Sequence, residues 1–60
     1  MLYRVIEGDP FGGYVCIKAD LNEKEADALV RKESECIDYF TNVFKVENDD
    51  ILYNHLIPIE

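Results

Sequence analysis

Residues 37–46 constrain this chain more than any other segment. Read as an extended strand, they place Ile37, Tyr39 and Val43 on one face and Phe40, Phe44 and Val46 on the other. A strand that is apolar on both faces needs cover on both sides. The rest of the sequence offers one convincing helix, which can cover one side only. A chain of 60 residues also has little surplus core, because a domain of that size buries only about 60% of its unfolded surface. The second cover must come from the chain's own tail or from another copy. The two-sided strand, the apolar tail and the small core together lead us to expect a C2 homodimer, the commonest closed assembly.

The elements before this strand are clearer. Residues 2–7 are rich in β-formers (Leu2, Tyr3, Val5, Ile6) and read as a first strand. Gly8-Asp9-Pro10-Phe11-Gly12-Gly13 is a turn cluster, since proline presets one turn residue and glycine admits positive φ. It lacks the lysine of a phosphate-binding loop and leads into strand residues, so a hairpin is the better reading. Residues 14–19 return, with Val15, Ile17 and Ala19 on one face and Tyr14, Cys16 and Lys18 on the other. A helix is predicted over 23–34. Asn22 is its N-cap, Glu25 completes a capping box, and Leu21 with Ala26 forms a hydrophobic staple. Asp27 and Arg31 stand at i,i+4 spacing.

After the turn residues Asn48-Asp49-Asp50, the tail admits two readings. Ile51, Tyr53, His55, Ile57 and Ile59 make a period-two stripe, which favours a strand that Pro58 would confine to an edge or an end. A short helix over 50–56, capped by Asp49, competes with it. The predicted fold is therefore a single α+β domain over residues 1–60: ββαβ with an additional C-terminal strand or short helix, and one helix packed on an antiparallel sheet.

Motifs for chemistry are sparse. Cys16 and Cys36 lie 20 residues apart with no CxxC, and read as two reduced, largely packed thiols. His55 has no neighbour at zinc-ligand spacing, and no nucleotide-binding loop or nucleophile elbow occurs. No catalytic residue, metal or cofactor is expected. Residues 1–7 hold no apolar run of signal-peptide length, and no segment approaches the ~20 apolar residues of a membrane span. A soluble, cytoplasmic protein is the expectation.

The charge is informative. The formal net charge of −7 argues against direct binding to nucleic acid or an anionic membrane, which needs a basic face. Residues 1–32 hold six acids and five bases, whereas residues 33–60 hold seven acids and only Lys45. Glu23, Glu25 and Asp27 suit the start of a helix, where the macrodipole favours negative charge. Glu33 and Glu35 stand at its end, where acids are disfavoured, and Asp38 follows at a poor strand position. Glu47, Asp49 and Asp50 form a second group at the next turn. We take Glu33, Glu35, Asp38, Glu47, Asp49 and Asp50 as the candidate partner-binding residues. They could stand in for phosphates on a basic protein's surface. Alternatively, the acids could work with the aromatics Tyr3, Tyr14 and Phe11 in docking on an enzyme, or the charge could serve solubility alone.

The hairpin, the helix entry Leu21-Asn22-Glu23-Lys24-Glu25-Ala26 and the strand Asp38-Tyr39-Phe40-Thr41-Asn42-Val43-Phe44-Lys45-Val46 resemble the small acidic ββαβ proteins of bacteriophages, host-takeover inhibitors among them. The resemblance covers about residues 2–47 and rests on size, charge and element order. One kind of such inhibitor mimics DNA on the histone-like protein HU, and another binds host RNA polymerase. What the resemblance implies is a non-enzymatic inhibitor, acting stoichiometrically in the bacterial cytoplasm on a basic DNA-binding host protein.

Overall fold

The computed structural model describes residues 1–37 and 40–60. Strand β1 (Tyr3–Asp9), strand β2 (Gly13–Leu21), helix α1 (Glu23–Ser34) and strand β3 (Asn42–Glu47) follow one another along the chain. The sheet order is β2-β1-β3, with β1 central and antiparallel to both neighbours. The chain thus leaves one edge of the sheet after β2 and crosses by way of α1 to the opposite edge. This is the predicted α+β architecture, with one helix packed on an antiparallel sheet. Among the described residues no helix is long and apolar enough to cross a membrane.

The hairpin between β1 and β2 forms for the reasons its sequence suggests. One oxygen of Asp9 accepts the N–H groups of Phe11 and Gly12, closing the turn. Gly13 has φ of 88°, a conformation that side chains rarely tolerate. Gly8 is required by proximity, because a Cβ there would run into the Gly13 carbonyl oxygen. Farther along, β2 has nine residues against seven in β1, and the excess is taken up by two register shifts, between Ile6 and Val5 and between Val5 and Tyr3. Asp20, at φ of 60°, lies in the second of them.

Helix α1 has the predicted bounds and the predicted capping box. The Asn22 side chain accepts the Glu25 N–H at 2.8 Å, and the Glu25 carboxylate accepts the Asn22 N–H at 3.0 Å. Leu21 and Ala26, the proposed staple, are both buried in the core under the helix, with Val5 and Ile17 and with Tyr3, Leu29, Val30 and Val43 around them. The Asp27 carboxylate reaches across to Lys45 on β3 rather than lying beside Arg31. An ion pair between elements ties the helix to the sheet, which a pair within one turn cannot do.

The expected strand over 37–46 is shorter than its pattern suggests. β3 starts at Asn42, whose partner is Gly8. Gly8 stands one residue before the end of β1 at Asp9, so the β1–β3 pairing starts close to the hairpin. Ile37 lies in a bend and Phe40 is an exposed turn residue. Tyr39 lies outside the described residues.

The second face of the sheet carries Arg4, Ile6, Tyr14, Cys16, Phe44 and Val46, which share strand parity across the pairs Arg4–Val46, Ile6–Phe44, Ile6–Cys16 and Gly8–Tyr14. The C-terminal segment covers it. Tyr53 joins Tyr14 and Phe44 in edge-to-face contacts with ring centroids 5.4–6.1 Å apart. Arg4 is buried and one guanidinium nitrogen donates to the carbonyls of Tyr53 (3.1 Å) and Leu56 (2.8 Å). Beyond Pro58, the N–H groups of Ile59 and Glu60 bond to the carbonyls of Cys16 and Ile17 on the outer edge of β2. The apolar face that led to the dimer expectation is therefore covered within one chain.

The tail takes neither form predicted for residues 51–56, which make successive turns. Asp50, not Asp49, caps them: its carboxylate accepts the Leu52 N–H at 2.9 Å, and its carbonyl accepts from Tyr53 and Asn54. Turns suit this site because the Tyr53 carbonyl accepts both the Leu56 N–H and Arg4, and the Leu56 carbonyl turns to Arg4. A continuous helix or a laddered strand would draw the Leu56 oxygen into main-chain bonding instead.

Candidate acidic interaction surface

Helix α1 and strand β3 divide the candidate acids between two ends of the sheet. The helix begins beside Tyr3, whose hydroxyl donates to Glu23 at 3.2 Å, and ends near Glu7, which feels the charge of Glu33. Glu33 and Glu35 therefore stand at the hairpin end. The C-terminus of α1 closes through short bonds, from Glu35 N–H to the Lys32 carbonyl and from Cys36 N–H to the Glu33 carbonyl. Strand β3 then carries the chain about 17 Å at 3.4 Å per residue, so that Glu47, paired with Tyr3, lies at the far end with Asp49 and Asp50. Asp38 lies outside the described residues. The predicted acids thus form two groups at opposite ends rather than one face.

Their surroundings differ too. Glu35, Glu47 and Asp49 are exposed, while Glu33 and Asp50 are half-buried. Asp50 has a structural duty, since its carboxylate holds the Leu52 N–H.

The sequence did not single out two further acids that belong with these groups. Glu7 joins Glu33 at the hairpin end, and burial, followed by the Glu33 charge, raises its carboxyl above the ordinary 4.5. Its parity with Tyr3 and Val5 could have placed it under the helix end. Asp20 joins the far end, where it and Asn48 exchange hydrogen bonds: Asn48 Nδ2 donates to Asp20 Oδ1 at 2.7 Å, and the Asp20 N–H donates to Asn48 Oδ1 at 3.2 Å. Nothing in the local sequence signals that contact across 28 residues.

Two of the bases are engaged within the fold. Arg4 is spent inside, on the tail carbonyls. Lys45 reaches Asp27 at 2.6 Å and Glu23 at 3.6 Å and lies 5.3 Å from the centre of the Tyr3 ring. The hydrogen bond to Asp27 raises the Lys45 pKa against a smaller opposing effect of burial. Tyr3 is raised chiefly by burial and then by its bond to Glu23. The bases on the exposed surface are Lys18, Lys24, Arg31 and Lys32, three of them on α1.

The three aromatics considered for docking also separate. Tyr3 is engaged with Glu23 and Lys45, and Tyr14 packs in the ring cluster. Phe11 is 99% exposed at the hairpin tip. Both cysteines are free, but only Cys16 is packed; Cys36 is on the surface. Burial raises the Cys16 thiol pKa, and the adjacent Arg4 partly offsets this. Among the described residues no group of three His, Cys, Asp or Glu is placed to hold a metal.

Comparison with protein-family models, with curated proteins and with solved structures finds no match to this chain.

Proposed function

We propose that this protein is a non-enzymatic acidic decoy that mimics DNA. It would occupy the nucleic-acid-binding surface of a basic host protein, such as a histone-like nucleoid protein, in the bacterial cytoplasm. The observation that carries this reading is the disposition of charge after folding. Of the six bases, Arg4 is internal and Lys45 is held by Asp27 and Glu23. Four bases on the surface face a chain with 13 acids. Carboxylates fixed on a sheet and helix can be presented without reordering, which favours fast, electrostatically steered association. The resemblance to acidic phage inhibitors supports the same reading.

The test is capture from a bacterial lysate on the immobilised chain, eluted with a salt gradient. Basic DNA-binding proteins should be retained, released by a few hundred millimolar salt because exposed charge pairs are screened, and displaced by duplex DNA. Capture of no basic protein would overturn the reading, as would capture that duplex DNA does not displace.

A second reading is favoured by Phe11. An exposed phenylalanine on a turn closed by Asp9 is suited to anchoring in a partner's pocket, as in a module that docks on host RNA polymerase or another enzyme. Under this reading, Phe11→Ala abolishes capture and salt has little effect. Retained, DNA-displaceable capture by that variant excludes it.

A further inference from the structure

Four aliphatic side chains lie bare at the β3-exit end of the sheet, and DNA mimicry by acids alone gives them no role. Met1 and Leu2 are 84% and 47% exposed, and Ile51 and Leu52 are 84% and 68% exposed. The backbone brings the two pairs to the same end. The Asn48 N–H donates to the Leu2 carbonyl at 3.0 Å, and Tyr3 pairs with Glu47. Leu2 shares strand parity with Arg4, whose guanidinium bonds to the tail, so it lies on the side where residues 51–56 run. The turn presenting Ile51 and Leu52 is fixed by Asp50, through its carboxylate and its carbonyl. At this same end stand Asp49 and Asp20, both exposed, with Glu47 on the helix face beside Tyr3.

We propose that this end docks a cationic amphipathic segment of a partner protein, one that carries leucine-like side chains beside its lysines and arginines. Charge selects the occupant. A second copy docked here about a two-fold axis would bring its own Asp49 and Asp20 up to the same acidic end. A polyanion or anionic lipid surface is repelled by the same carboxylates. A polycation without apolar groups satisfies the acids but leaves four aliphatic side chains in water, forgoing their burial. The proposal rests on the reading that the partner is basic. It adds that the basic surface is interleaved with apolar side chains, and that it meets this end rather than the hairpin end.

The full-length, ¹⁵N-labelled chain should be titrated with two synthetic peptides of equal charge, a helical leucine/lysine peptide and an oligolysine. The leucine/lysine peptide should bind more tightly and shift the amides of Leu2, Asn48, Ile51 and Leu52. The double variant Ile51→Ser, Leu52→Ser should weaken it about tenfold, as expected for losing one well-buried aliphatic contact, with oligolysine affinity unchanged. Ile51→Ser alone, at a site 84% exposed, serves should the double variant not fold, with a smaller loss in the same direction. Equal affinity for the two peptides, no binding of the leucine/lysine peptide, or shifts centred on Glu7 and Glu33 would overturn the docking site. Equal affinity leaves the basic-partner reading standing. That reading fails separately, when lysate capture yields no basic protein.

Discussion

Replacing Arg4 by methionine tests whether the C-terminal segment is held as a latch. The guanidinium makes two charge-assisted bonds to main-chain carbonyls, of Tyr53 at 3.1 Å and Leu56 at 2.8 Å, from a buried position. Bonds to charged groups contribute about 1.5–3 kcal/mol each. Against this stands the desolvation of a buried cation, and among the described residues Arg4 Nε is buried without a hydrogen-bond partner. Methionine preserves much of the stem's packing and removes the orphaned nitrogen. We therefore expect a net loss of about 2–3 kcal/mol, below the sum of the two bonds. The loss should fall on tail opening, because the hairpin and the core under α1 do not depend on Arg4. At 1.4 kcal/mol per tenfold, the open population should rise about 30- to 150-fold.

Two measurements read that opening directly. The amides of Ile59 and Glu60, which bond to the Cys16 and Ile17 carbonyls, should lose protection from hydrogen exchange by that factor, while those of Val5 and Leu29 change far less. Cys16, fully buried with a thiol pKa raised chiefly by burial, should become reactive toward a disulfide reagent at the same opening rate. The exposed Cys36 serves as the internal standard. A folded Arg4→Met chain with unchanged Ile59 and Glu60 exchange and an inert Cys16 would refute the latch.

Other expectations follow from the same geometry. Glu7 has its carboxyl raised by burial and then by Glu33, so in the window above its ordinary value the folded chain keeps a proton that the unfolded chain has released, and stability falls as pH rises. Glu7→Gln should therefore be more stable than the parent at pH 7 by urea denaturation, with the gap closing as pH falls toward 4.5; a gap independent of pH would count against the assignment. Gly8→Ala places a methyl group against the Gly13 carbonyl and should cost more than about 3 kcal/mol, visible as loss of the thermal transition by circular dichroism. Asn22→Ala removes one half of the capping box and should lower stability by about 1 kcal/mol, read as a reduced urea midpoint with an unchanged slope.

The parts of the fold that were legible in the sequence are those decided by neighbours along the chain. The bounds of α1 follow from Asn22 and Glu25, three residues apart, and the hairpin from Asp9 and its glycines. The alternation over 37–46 does not show where β3 begins, because that is set by pairing with β1, which starts at Asn42 opposite Gly8. The tail was misread because its form depends on Arg4, 49 and 52 residues away from the carbonyls it holds. A signal was nonetheless present. Arg4 alternates with Leu2 and Ile6 on one face of β1, and an arginine on an apolar face needs acceptors brought to it.

The same distinction between neighbours in sequence and neighbours in space governs the candidate site. Residues 33–60 hold most of the excess acid, and along the chain they read as one group. Strand β3 breaks that group, since a strand moves the chain farther per residue than any other element. It leaves Glu33 and Glu35 at one end and Glu47 and Asp49 at the other, where Asp20 and Glu23 arrive from the first half of the chain. The acids that helix preference explained and those it did not are thus mixed in space. Glu23, well placed at the start of α1 for the helix macrodipole, also holds Lys45. It removes a base from the surface that Glu47 and Asp49 present. What distinguishes the acidic end is therefore less the number of carboxylates than the fate of the cations. Lys45 is the one base in residues 33–60, and it points to α1 on the helix face of the sheet. Arg4 points to the opposite face and closes the tail over it. Each of these two cations stabilises the fold from within the sheet, and among the described residues neither is paired with Glu47 or Asp49 at the β3-exit end.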